Sequence, residues 1–323
     1  MPDSSPEAVT CGEAMLLMLA EPGVPLDRAV NFRRSVAGAE SNVAAGLARL
    51  GHRARWLGRV GADPAGEAVL SQLRADGVDV SYAQSDPDAP TGLLLRDSHP
   101  QRAIDVQYYR AGSAASRLAP EHIRAEALDG VRLLHISGIT PMLSPSAAEA
   151  TAKLIELARA AGAAVSFDPN IRRKLAAPER WTETVAPLLP QADLVFAGED
   201  ELELLAGRGA DETADWLLRG RAHTVVLKRA DHSATALTAD GPRYDQPPFR
   251  VPLADPVGAG DAFAAGYLSA WLRGLPTPRA LAEAACVAAL VVQSATDTDG
   301  LPSAAARDRA LTAFTEGGDS VQR

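Results

Sequence analysis

The chain has 323 residues, 46% hydrophobic and 23% charged, ordinary values for a folded globular protein and enough length for one large or two modest domains. A formal charge of −9 argues against a protein that coats nucleic acid or an anionic membrane, because phosphate surfaces are held by an excess of Lys and Arg. No run approaches the roughly 18 to 20 continuous apolar residues of a membrane span, and the opening MPDSSPEAVT lacks the basic start and apolar core of a signal peptide, so a cytoplasmic location is expected.

In chain order, the first 110 residues are β-rich: AVTCGEAMLLML, RAVNFRRSV, TGLLLRDS and AIDVQYYR read as strands, interrupted by helices near 40–50 and 65–76. Segments within about 12–36 and 91–110 are expected to form a small sheet of their own. From about residue 131, β-rich runs alternate with amphipathic helices: VRLLHIS, a helix near 146–161, AAVSFD, a helix near 176–189, ADLVFA, then ELELLAG. Such alternation implies an α/β fold with a parallel sheet covered by helices. A hairpin around Ala239-Asp240-Gly241 precedes two alanine-rich helices, Asp261 to Arg273 and Pro278 to Gln293, and EGGDSVQR reads as a loose tail. No repeat or low-complexity linker divides residues 1–323, which are read as one unit. Ligands of open α/β sheets collect outside the carboxyl ends of the strands, so a small sheet projecting there would act as a lid.

Several chemistries are not supported. Cys11 and Cys286 form no C-x-x-C pair and read as small buried residues, while His52, His99, His122, His135, His223 and His232 are dispersed without zinc-ligand spacing. There is no G-x-S-x-G elbow for a serine hydrolase. Of the three lysines, Lys153, Lys174 and Lys228, none follows a glycine as a P-loop requires, so any nucleotide must be held by another device.

The most informative stretch is DPVGAGDAFA, Asp255 to Ala264, leading into the helical GYLSAWLRG. Glycines let a backbone approach a ligand closely, and the free N–H groups and dipole of a helix start attract anions. Gly258, Ala259 and Gly260 are therefore candidates to cradle phosphate oxygens, with Asp261 in the first turn placed to accept a proton from an attacking hydroxyl and kept ionised by the helix dipole. The residues alone equally admit an ordinary turn with a favourable acidic helix start. A dinucleotide fingerprint fits poorly, because Phe263 stands at its sixth position.

DPVGAGDAFAAGYLSAW resembles the C-terminal signature of ribokinase-like (phosphofructokinase-B type) carbohydrate kinases, and AGAESNVAAGLARLG, residues 37–51, resembles their N-terminal one. The likeness runs from about Val9 to Ser303 and implies a three-layer α/β core with a mostly parallel sheet and a small β lid, with ATP as phosphoryl donor and Mg²⁺ as cofactor. It further implies that Asp261 is the base and that the amides of Gly258 to Asp261 form the anion hole. Asp168, Arg172, Gly198, Lys228, Gly258 and Gly260 would lie on the nucleotide side, Glu201 would act on the metal indirectly, and Asp255 would lie near a loop for a monovalent cation such as K⁺. Gly198 stands where the family's N-x-x-E motif has asparagine, and Ala230 and Ser233 replace both glycines of K-x-G-x-x-G after Lys228. On their own, Glu199 to Glu203 also read as an acidic first turn complementing a helix dipole.

Within that family, QYYRAGSAAS, HISGITPMLSP and SFDPNIRRKL resemble 2-keto-3-deoxygluconate kinases. Tyr108 and Arg110, two apart on a strand, share one face while Tyr109 points away, and Arg172 follows a strand end, so both arginines suit the carboxylate of a sugar acid. The resemblance implies that Gly38 and Asn42 hold sugar hydroxyls, Tyr108 and Arg110 reach the acid end, Arg172 bridges toward phosphate, and Asp297 closes the substrate site. Leu94, Ala176 and Ala37 depart from the pattern of those kinases, which offer tyrosine, tryptophan and glycine at these positions. A fructokinase- or ribokinase-like enzyme of a neutral sugar, and a non-catalytic sensor on the same scaffold, are the alternatives. Exposed edges of a small sheet need cover, which leads to the expectation of a homodimer through the lid.

Overall fold

Eight strands form the main sheet of the described residues, in the order Tyr244–Gln246, Ala234–Thr238, Thr224–Lys228, Leu194–Gly198, Ala164–Asp168, Leu133–Ser137, Ala8–Cys11 and Ala54–Leu57. The last six run parallel, and the first two form the antiparallel hairpin expected at Ala239-Asp240-Gly241. This computed structural model describes residues 5–99 and 104–316. Residues 100–103 of the second lid segment, and all but the first residue of the expected tail, lie outside the described residues.

Side chains alternate across a strand, so each strand feeds two cores. Val9, Leu134, Val165, Val195 and Val225 enter a core roofed by the helices Pro145–Ala160, Pro178–Val185, Glu199–Ala206 and Ala210–Leu218. Ala8, Leu133, Ala164, Leu194 and Val226 enter the opposite core, under Ala39–Arg49, Ala259–Leu272 and Thr277–Val291. The expected α/β architecture is therefore present, with helices on both faces of a mostly parallel sheet. Cys11 and Cys286 are both free and buried. Among the described residues no helix is long and apolar enough to cross a membrane.

The segment AVTCGEAMLLML, read as one strand, is two: Ala8–Cys11 in the main sheet and Met15–Ala20 in a four-stranded sheet with Phe32–Ala37, Leu93–Arg96 and Val106–Tyr109. The break falls at Gly12-Glu13-Ala14, where a Cβ on Gly12 would lie 2.2 Å from the Glu40 carboxyl carbon. The helix expected near 176–189 stops at Val185 and continues as a tighter 3₁₀ turn, Ala186–Gln191, because Pro187 and Pro190 cannot donate α-helical hydrogen bonds.

Helices Ala259–Leu272 and Thr277–Val291 meet closely at Gly266, where an added Cβ would lie 2.8 Å from the Ala284 Cα. Two effects oppose each other in Gly266→Ala. Alanine gains about 1 kcal/mol of helix propensity, whereas forcing packed backbones apart costs about 1–3 kcal/mol. The backbone contact cannot be relieved by a side-chain rotation, so the variant is expected to lose about 1–2 kcal/mol of stability, read as a lower denaturant midpoint. A midpoint above the parent's would show that the two helices separate at little cost.

Candidate active site

The helix Ala259–Leu272 begins two residues before the expected Asp261, because Gly258 turns the chain into it with φ 85°, a left-handed conformation that glycine adopts without strain. A Cβ at Gly258 would also press to 2.8 Å from the Asp297 carbonyl oxygen. The amides of Gly260 and Asp261 find no acceptor among the described residues, as first-turn amides must unless an anion, a cap or water arrives. Both residues line a cavity of about 450 Å³ at the carboxyl ends of the parallel strands. Gly38, Asn42, Tyr108, Arg110, Asp168, Arg172, Glu201, Lys228, Gly258, Ala259 and Asp297 line it too, while Gly198 and Asp255 lie behind the lining.

Asp261 is oriented by two amides: Asn42 Nδ2 donates to Oδ2 at 2.8 Å and Asn170 Nδ2 to Oδ1 at 3.3 Å. Burial pushes its carboxyl up to about 7, opposed by the Asn42 hydrogen bond and the Arg172 charge and aided by the Asp168 and Asp297 charges. The expectation that the helix dipole keeps Asp261 ionised is thereby corrected, since desolvation and neighbouring carboxylates outweigh the helix end. A carboxylate with that proton affinity is suited to take a proton near neutral pH.

Among the residues expected on the nucleotide side, Lys228 Nζ donates to Asp168 Oδ2 at 2.9 Å and lies 3.8 Å from Glu201 Oε2. Burial opposes its charge, but the two carboxylates more than compensate and hold the ammonium above its usual range. Lys228 also reaches the glycine loop at the helix start, since a Cβ on Gly260 would lie 4.0 Å from Nζ. Glu201 accepts from the N–H of Gly198 at 2.7 Å and from that of Ile171 at 2.7 Å. It therefore both caps its own helix and ties the loop after strand Ala164–Asp168 to it. Glu199 instead pairs with Arg229, which also holds Asp211 at 2.9 Å. Among the described residues no cluster of three or more His, Cys, Asp or Glu side chains could cage a metal. Asp168 and Glu201 are hard oxygen donors in the pocket lining, which fits Mg²⁺ held mainly by phosphates and water.

On the side expected to take the sugar, Tyr109 is 59% exposed, while the Arg110 guanidinium carbon lies 5.3 Å from the Tyr108 ring centroid. Arg110 is not idle: it pairs with the buried Glu13, whose other oxygen accepts from Ser113 Oγ at 3.1 Å. Burial raises the Glu13 carboxyl above its usual range, and Arg110 opposes that shift. Arg172 is exposed and pairs with no carboxylate among the described residues. The buried Asn42 Oδ1 lacks a hydrogen-bond partner.

Four polar or charged lining residues escaped the sequence reading: Glu13, Glu40, Arg96 and Asn170. Arg96 was accessible through periodicity, because it lies two residues beyond Leu94, which also lines the cavity. Asn170 stands inside the quoted SFDPNIRRKL, but its left-handed φ of 46° carries no sequence signal. Glu40 accepts from Ser137 Oγ at 2.6 Å and Thr140 Oγ1 at 2.7 Å, joining the helix Ala39–Arg49 to the HISGIT segment.

Comparison with known proteins bears on what such a site does. A family model described as pfkB family carbohydrate kinase matches residues 6–304. The chain is 38% identical over 307 residues to a 2-dehydro-3-deoxygluconokinase of Bacillus subtilis (strain 168), covering 92% of this chain and 93% of the relative. A 2-dehydro-3-deoxygalactonokinase of Haloferax volcanii is 34% identical, covering 88% of this chain and 90% of its own. Among solved structures, a PfkB protein from Polaromonas sp. JS666 superposes with TM-score 0.84 at 36% identity, covering 94% of this chain and 99% of that one. With nearly its whole length matched and both glycine-rich signatures in place, the chain belongs to the pfkB family of carbohydrate kinases.

Proposed function

We propose that this kinase transfers the γ-phosphoryl group of ATP to a sugar acid, 2-keto-3-deoxygluconate, giving the 6-phosphate. The substrate hydroxyl loses its proton to Asp261, its oxygen bonds to phosphorus, and the bond to the ADP oxygen breaks. Asn42 and Asn170 aim the carboxylate, and the Gly260 and Asp261 amides receive charge that develops on the phosphoryl oxygens. Asp168 and Glu201 are the residues that would hold Mg²⁺ through its water, and the ion neutralises phosphate charge when bound. Lys228 draws the nucleotide side together, and a substrate hydroxyl would satisfy the orphaned Asn42 oxygen. The small sheet acts as the lid, and residues 1–323 work as one kinase unit.

The observation that carries the acid reading is the pair of arginines in the cavity lining, Arg110 beside Tyr108 and Arg172 without a carboxylate of its own. The names of the relatives support it, and the galactonokinase among them leaves the C4 epimer for assay. A neutral sugar is the second reading, favoured by the Glu13–Arg110 pair, which already balances one of the two cations.

Because Asp261 must be ionised to accept a proton, kcat/KM is expected to fall as pH drops through about 7. Asp261→Asn is expected to lower turnover by about 10²- to 10⁴-fold and abolish that acidic limb. Turnover within a few-fold of the parent would remove Asp261 from the mechanism.

Arg110→Ala is expected to weaken 2-keto-3-deoxygluconate by about 2–5 kcal/mol, the range for truncating one member of a desolvated charge pair, with little effect on ATP. Calorimetry with this acid and with fructose makes the comparison: equal losses would give Arg110 a general structural role, and tighter parent binding of fructose would favour the neutral-sugar reading.

We further propose a dimer through the small sheet, whose edge strand Val106–Tyr109 carries the exposed Tyr109. Sedimentation velocity at micromolar concentration is expected to give twice the chain mass. A fully active monomer would rule the dimer out.

A further inference from the structure

The resemblance places a monovalent cation beside Asp255, and the donors there do not fit one. Asp255 Oδ2 accepts from Arg96 Nη1 at 2.6 Å and from Ser98 Oγ at 2.7 Å, while Oδ1 accepts from the Val257 N–H at 2.9 Å. An ion bound to this carboxylate would have to share it with a guanidinium that never loses its charge. Arg96 and Asp255 are each 1% exposed, so water does not weaken the repulsion such an ion would meet.

The second arm of the guanidinium reaches further: Arg96 Nη2 donates to Asp297 Oδ1 at 2.8 Å. Asp255 and Asp297 belong to the two backbone segments that enclose Gly258, one through the Val257 amide and the other through the close Asp297 carbonyl. Arg96 itself ends the small-sheet strand Leu93–Arg96, so one side chain joins that sheet to both walls of the anion loop. Asp255 is 159 residues from it in the chain and Asp297 is 201.

We propose that Arg96 is the resident cation of the anion loop: its guanidinium holds Asp255 and Asp297 together behind Gly258, and phosphoryl transfer by this protein requires no monovalent ion. Arg96 is in this sense a positioning residue, and the proposal rests on the assignment of Gly258 to Asp261 as the transfer loop.

The test measures turnover of the purified full-length protein in chloride salts of K⁺, Na⁺ and tetramethylammonium at equal ionic strength, for the parent and for Arg96→Ala. The parent is expected to vary by no more than about two-fold, the spread that ionic screening produces. Arg96→Ala is expected to lose about 10²-fold in kcat, typical of a misplaced reacting group. Added guanidinium or K⁺ should restore part of that loss, and tetramethylammonium, too large for the vacated space, should not. A purely structural role for Arg96 would give no ion-specific rescue. Activation of the parent by about ten-fold or more in K⁺ over tetramethylammonium would overturn the proposal, as that is an energy screening does not supply. So would a folded Arg96→Ala with parental kcat. If Arg96→Ala does not fold, the salt series on the parent decides alone. Asp261→Asn run alongside separates the two levels: full activity in that variant would sink the transfer-loop assignment, whatever the salt.

Discussion

Burying several carboxylates around one helix terminus is the constraint from which the rest of the site follows. A helix start favours negative charge, but a carboxylate taken out of water must be paired or hydrogen-bonded, or it takes up a proton. The chain divides these remedies unequally. Asp255 and Asp297 share Arg96, and Asp168 has Lys228, whereas Asp261 is held by the neutral amides of Asn42 and Asn170. A carboxylate tied to a cation is held in place by it, which is useful for structure. One held by amides keeps an adjustable proton affinity, and it is the one standing at the free N–H groups.

The same logic extends to the sugar side. An arginine kept ready for an anion would be an uncompensated charge in an empty pocket, and Glu13 removes that cost by pairing with Arg110. On the proposed reading the substrate carboxylate shares Arg110 with Glu13, while Arg172 at the exposed rim adds charge without a partner to give up. Selectivity for an acid then depends on the balance between one internal carboxylate and one incoming one.

Much of this was legible in the sequence because it follows short-range rules. Alternation of β runs and helices pointed to the layered sheet, and DPVGAGDAFA marked the glycine turn and helix start that line the cavity, although those residues alone also admit an ordinary turn. What stayed hidden was set by distance and desolvation. Periodicity puts Arg96 on the Leu94 face, but its pairing with Asp255 and Asp297 is set by partners far along the chain that no local pattern shows. The ionisation of Asp261 was misjudged for the same reason: a helix dipole can be read from neighbours in sequence, and burial cannot. The break after Cys11 went unread, and the residue packed against its Gly12, Glu40, lies on another element.

The hydrogen bond from Asn42 to Asp261 spans 219 residues, and it has a bearing on how the protein is made. Strand Ala8–Cys11 sits between Leu133–Ser137 and Ala54–Leu57, so it lacks one of its neighbours until Leu133–Ser137 has left the ribosome. The helix bearing Asp261 and the Asp297 wall emerge later still. Long-range closure of this kind slows folding and leaves apolar strand edges uncovered during synthesis. A nascent chain thus has no complete cavity until Asp261 and Asp297 have been made, and a product that stops before them carries the parallel strands without the residues that finish the lining.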